Sequence, residues 1–120
     1  MTQNTNKNYD LEGRTFKFAK AIIRLYKELP VNTVNIEFIK QLVKSGTSVG
    51  ANYREANEAV SKKDFIHKIR IIRRETKETT YCLELMQEAN SNFEKDINSL
   101  LQESKELRNI FSSIIDKSPQ

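Results

Sequence analysis

The chain is poor in the residues that staple or tightly turn a small fold. It holds one cysteine and one histidine in 120 residues. A single thiol closes no disulfide within the chain, and a lone Cys with a lone His does not make a zinc site of the usual kind. Three glycines and two prolines are too few for the many tight turns of a β-sandwich or barrel. They also leave no glycine-rich phosphate loop. No run approaches the roughly 20 apolar residues that span a bilayer. The opening from Met1 to Asn8 is polar and lacks the apolar segment of a secretory signal. The expectation is a cytoplasmic protein with no membrane attachment and a reduced Cys82.

What is present is helical periodicity. Hydrophobic residues make up 38% of the chain and charged residues 30%, so the apolar side chains must be spent on faces. After an Asn- and Thr-rich stretch, residues 1–9, read as a disordered tail, Leu11, Thr15, Phe18, Ile22, Leu25 and Leu29 recur at spacings of three and four, with Ala19 and Tyr26 widening the stripe. Pro30 ends that helix. Thr33 or Asn35 offers a cap for a second helix, whose stripe is Phe38, Leu42, Ser45, Val49, Asn52, Ala56 and Ala59. Ser61-Lys62-Lys63-Asp64 has the form of a capping box for a third, with Phe65, Ile69, Ile72, Thr76, Thr79, Leu83 and Met86 on one face. A fourth follows Asn90-Ser91-Asn92 and carries Phe93, Ile97, Leu100, Leu101, Ser104, Leu107, Phe111 and Ile114. The pattern predicts an all-α, antiparallel up-down-up-down four-helix bundle in one domain, residues 10–117.

The segment Ser45-Gly46-Thr47-Ser48-Val49-Gly50-Ala51-Asn52 has loop composition. The apolar phase on both sides of it is continuous, which predicts helix. Ser45, Ser48, Asn52 and Glu55 then form a polar stripe beside a notch made by Gly46 and Gly50. A solvated face in so charged a chain would show Lys and Glu, so the stripe reads as a packed polar seam, within the bundle or between subunits. Arg54 and Glu55 are placed to meet Glu75, Glu78 and Tyr81 of the third helix. The competing reading is ordinary exposed charge pairing.

Lys and Arg number 20 against 16 Asp and Glu, a net charge of +4. The excess gathers on two faces. Lys17, Lys20, Arg24 and Lys27 form a ridge on the first helix. Arg70, Arg73, Arg74 and Lys77 cluster on the third, where His67, Arg70, Arg74 and Lys77 share a side. Such rows suit phosphates, though a solvated face is the commoner meaning of a charge stripe. No aromatic residue interleaves these cations, so contact with the nucleic-acid backbone is expected rather than base stacking.

Catalytic arrangements are thin. His67 sits among lysines, and Asp64-x-x-His67 has no second copy for a di-iron site. Glu75-x-x-Glu78 supplies two carboxylates but not four ligands. Cys82, between Tyr81 and Leu83, reads as a packed residue. No cofactor, no metal and no catalytic residue is expected.

The run from Gln41 to Ala56, QLVKSGTSVGANYREA, followed by Ser61-Lys62-Lys63-Asp64-Phe65-Ile66-His67-Lys68, Glu75 and Glu78-Thr79-Thr80-Tyr81, resembles the bacterial four helix bundle protein family. That family is named for proteins encoded in intervening sequences of large-subunit ribosomal RNA genes. The resemblance covers the chain from Leu11 onward. It implies a left-handed bundle assembled as a homo-oligomer, a pentamer in many members, with a basic surface and no attached enzymatic activity. A related branch is the accessory protein of diversity-generating retroelements, which engages reverse transcriptase and nucleic acid. The expected function is therefore a non-enzymatic oligomeric bundle that binds RNA, DNA or a ribonucleoprotein through its basic faces. A protein-only scaffold or adaptor, such as a reverse-transcriptase accessory subunit, and an enzyme with a site built across subunits are the alternatives.

Overall fold

The computed structural model describes the backbone of residues 3–118 and the side chains of residues 11–118. Helices α1 (Gln3–Glu28), α2 (Thr33–Ala56), α3 (Lys62–Ala89) and α4 (Glu94–Lys117) follow in order, with a single 3-10 turn at Ser91–Phe93 leading into α4. The stretch 1–9, expected as a tail, lies wholly outside the described side chains; its backbone is helical from Gln3.

Each helix packs on its sequence neighbours, and α4 returns to α1. Cross-helix partners run in opposite numerical directions. Gly50 lies on Thr15 and Gly46 on Ile22, Ser45 meets Thr79 and Ser48 meets Glu75, and Thr80 meets Ser104 while Arg73 meets Ser112. Successive helices are therefore antiparallel, and α1 and α3 stand diagonally across the bundle.

Local chemistry sets the ends. Pro30 has no N–H to continue α1. Asn32, with extended backbone, caps α2 by accepting from the Asn35 N–H at 2.9 Å, so neither Thr33 nor Asn35 takes the capping role their positions suggest. Ser61 caps α3 by accepting from the Asp64 N–H at 3.0 Å. Each cap satisfies one of the otherwise unbonded N–H groups of a first helical turn.

The stripes are the core. Leu11, Phe18, Ile22, Leu25 and Leu29 are buried, as are Ile69, Ile72, Leu83 and Met86, and Ile97, Leu107 and Phe111. Tyr26 is an exception: it is 53% exposed and does not widen the buried stripe. Tyr53 is the reverse case. It is buried, with its ring 6.2 Å from that of Phe111 across the bundle.

The segment from Ser45 to Asn52 is continuous helix. Its glycines serve close approach. A Cβ on Gly50 would sit 3.3 Å from Thr15 Oγ1, and one on Gly46 would collide with Ile22 Cδ1. Small residues here let α1 and α2 come together.

Candidate nucleic-acid interface and polar seam

The seam begins from buried hydroxyls on α3. Thr76 Oγ1 donates to the Ile72 carbonyl at 2.8 Å. Thr79 Oγ1 lies 2.9 Å from both Ser45 Oγ and the Glu75 carbonyl oxygen. Thr80 Oγ1 lies 2.8 Å from the Thr76 carbonyl oxygen and 2.6 Å from Ser104 Oγ. A hydroxyl on a helix can use its own preceding turn as acceptor and a neighbouring hydroxyl as second partner. α3 is thereby tied to α2 on one side and to α4 on the other, with no charge buried.

Ser45, Ser48 and Glu75 are hydrogen-bonded within the chain. Ser48 Oγ reaches the Ser45 carbonyl at 2.8 Å and Glu75 Oε1 at 3.1 Å. Asn52 is half-buried, and Glu55 and Glu78 are exposed. Arg54 does not meet Glu75 or Glu78. It turns to α1, 3.7 Å from Glu12, while Glu55 lies 3.9 Å from Lys68. Exposed pairs at such distances contribute little.

A second polar device is invisible in the sequence pattern. The amides of Asn35 and Asn90 are buried and reciprocally bonded, at 2.9 and 2.8 Å. Asn35 also donates to the Pro30 carbonyl at 2.9 Å, and Asn90 to the Met86 carbonyl at 3.1 Å. The pair joins the start of α2 to the end of α3. Two Asn residues at helix ends look like caps in sequence, and nothing local announces their partnership 55 residues apart.

Lys17, Lys20, Arg24 and Lys27 are exposed along α1, as are Arg70, Arg74 and Lys77 along α3. Among the described residues Lys17, Arg24, Lys27, Arg70, Arg74 and Lys77 make no ion pair. Arg73 is half-buried and points to α4, where it donates to Ser112 Oγ at 3.4 Å, so it stands apart from the other three. Because α1 and α3 are diagonal, the two basic faces look in opposite directions and form no common patch.

One aromatic ring does stand among the cations, contrary to the expectation. Phe16 is 49% exposed, with Lys20 Nζ 4.7 Å and the Arg54 guanidinium 5.3 Å from its centroid. The sequence carries the signal: Phe16 lies four residues before Lys20 and off the buried stripe.

Arg14, by contrast, is paired with two carboxylates. Its Nε and Nη2 donate to Glu103 at 2.6 and 2.9 Å, and Nη2 donates also to Glu106 at 2.6 Å. Hydrogen bonding to Glu103, against some desolvation, holds its pKa further above the usual guanidinium value.

His67 is exposed and makes no hydrogen bond among the described residues. Cys82 is buried, its Sγ 3.5 Å from the Phe38 carbonyl oxygen, and burial pushes its pKa up to about 11. A thiol held protonated is a poor nucleophile. Among the described residues no three His, Cys, Asp or Glu side chains converge to hold a metal, and no helix is long and apolar enough to cross a membrane.

Residues 7–113 match the family described as 23S rRNA-intervening sequence protein. The chain belongs to that family. A solved structure shares the fold: a protein of unknown function from the S23 ribosomal protein family of Bacteroides thetaiotaomicron. It is 36% identical, covers 90% of this chain and 99% of its own, and superposes with a TM-score of 0.78. No curated protein is recognisably similar. The family match spans both basic faces and the hydroxyl seam.

Proposed function

We propose that this protein is a non-catalytic, self-associating helical bundle that offers basic helix faces to RNA, DNA or a ribonucleoprotein partner. The observation that carries this reading is the row of exposed cations on α1, where Lys17, Arg24 and Lys27 have no acidic partner among the described residues. Arg14, on the same helix, has two carboxylates. Cations without carboxylates remain available to phosphates. The family takes its name from ribosomal RNA, and the solved relative is assigned to a ribosomal protein family, which makes structured RNA the first ligand to try. Self-association is supported by the exposed Tyr26, Ile36, Tyr81 and Leu85. The resemblance favours five subunits.

A protein-only scaffold is the second reading, favoured by the cleft of about 600 Å³ between α1 and α2, which is walled by Tyr26, Ile36 and Val43. Anisotropy titrations of duplex and structured RNA separate the two. Phosphate contact predicts affinity falling steeply between about 50 and 200 mM salt. Lys17→Gln with Arg24→Gln and Lys27→Gln should flatten the salt slope by roughly 1 per lost contact. No binding even at low salt sinks the nucleic-acid reading.

A further inference from the structure

Phe16 stands at a notch between α1 and α2. Its ring is 49% exposed, and the opening beside it, about 240 Å³, is walled by Ala19, Thr47, Gly50 and Ala51. Small side chains at these four positions keep the space beside the ring open.

The polar atoms of the notch divide by role. Thr15 Oγ1 donates its proton to the Leu11 carbonyl at 2.8 Å, and Thr47 Oγ1 to the Val43 carbonyl at 2.6 Å. A hydroxyl has one proton to give, so only lone pairs are left for a further partner. Glu12, also in the lining, is a carboxylate and accepts only. Backbone N–H groups in mid-helix are already bonded. Among the side chains of the lining, Arg54 alone donates. It lies 5.3 Å from the Phe16 centroid and 3.7 Å from Glu12. Lys20 Nζ is 4.7 Å from the same centroid. An aromatic face, two cations and a set of acceptors meet in one place.

The ligand those groups fit is planar, carries an anion, and donates hydrogen bonds from its ring edge. We infer that the notch takes one unpaired nucleotide of an RNA strand, with a base that bears an exocyclic amino group, cytosine or adenine rather than uracil. The inference rests on the nucleic-acid reading above and names the part of the nucleic acid that α1 contacts. The base stacks on Phe16 and takes the place of a cation there. Its amino group donates to Glu12 or to a threonine oxygen, and the displaced cation pairs with the nucleotide's phosphate. Uracil fits worse, because its ring N–H is flanked by two carbonyl oxygens that the acceptors of the notch repel. A duplex does not use the notch, since its bases are already stacked and paired.

The test is run on the variant Arg70→Gln with Arg74→Gln and Lys77→Gln, so that only the α1 face binds. Anisotropy titrations compare oligocytidine with oligouridine of equal length, two pyrimidine strands that differ at the amino group, and CMP competes as the free nucleotide. Oligocytidine should bind more tightly. Adding Phe16→Leu should weaken oligocytidine binding about tenfold and leave duplex binding and the salt slope unchanged, since stacking neutralises no phosphate. Phe16→Trp should retain the strand. Glu12→Gln should bring the two strands closer together, because an amide also donates to uracil oxygens. Equal affinity for the two strands, or oligocytidine binding indifferent to Phe16→Leu, overturns the notch while leaving phosphate contact standing. CMP that competes as tightly as the strand overturns a strand as the source of the base. No binding of any RNA at low salt, by this variant or by the wild type, overturns both readings. Helical circular dichroism of each variant separates loss of binding from loss of fold.

Discussion

Gly13 and Gly46 are the same residue type in two adjacent helices, and they have opposite roles. Gly13 is exposed, and a Cβ there meets nothing within 4 Å. Gly13→Ala should therefore raise stability by about 0.5–1 kcal/mol, because only backbone entropy changes. At Gly46 the added carbon collides with Ile22. Gly46→Leu should cost about 1–3 kcal/mol by overpacking. Thermal melts of the two variants should move in opposite directions. The buried amide pair gives a further residue-level expectation. Asn90→Leu strands the Asn35 amide and should cost about 1–3 kcal/mol. Asn35→Leu with Asn90→Leu should cost less than the two single changes added, which denaturant titration of the cycle measures. Cys82 adds a pH dependence. Its thiol titrates near 9.0 in the unfolded chain and near 11 in the fold. The contribution is present below the unfolded pKa and is lost as pH rises from 9 toward 11. Over that window wild type should lose melting temperature faster than Cys82→Ala.

The helices themselves are legible in sequence because each carries one dominant apolar stripe at helical spacing. The hardest case is the segment from Ser45 to Asn52, where composition argues for a loop and phase argues for helix. Phase wins, because buried Leu42, Val49 and Ala56 keep the helical face in register across both glycines. Partners are less legible. The stripe directs Arg54 toward α3, whereas the side chain points to α1 beside Glu12 and Phe16. A residue between two neighbouring helices is assigned by the helix rotation, which a stripe defines only to within a residue or so. The same uncertainty puts Tyr26 in the core and overlooks Tyr53. Contacts between α1 and α4 are not legible at all, since they join the two ends of the chain. There Arg14 bridges to Glu103 and Glu106 beside an open groove. Arg14→Met should cost about 1 kcal/mol, because the pair is only partly shielded from water. The loss should shrink in high salt, a difference that urea melts at two ionic strengths resolve.

At the scale of the molecule, the structure spans 45 × 25 × 20 Å and carries its two basic faces on opposite sides. A single RNA helix on one protomer can then reach only one face. Gln substitutions at Lys17, Arg24 and Lys27 should remove the binding at the α1 face and leave that at the α3 face, and those at Arg70, Arg74 and Lys77 the reverse, so only the combined sets should abolish binding. Competition titrations showing one set alone abolishing all binding would contradict this. The sparse packing between α1 and α4 has a kinetic consequence as well. Nearly all close packing joins helices adjacent along the chain, so the loops that must close are short and folding should be fast. The Arg14 bridge spans 89 residues and is the natural candidate to form last, after the rate-limiting step. A contact absent from that step governs how quickly the native state opens, not how quickly it is reached. In stopped-flow experiments Arg14→Met should therefore hasten escape from the native state while leaving refolding rates unchanged, making one surface arginine the latch on the protein's lifetime.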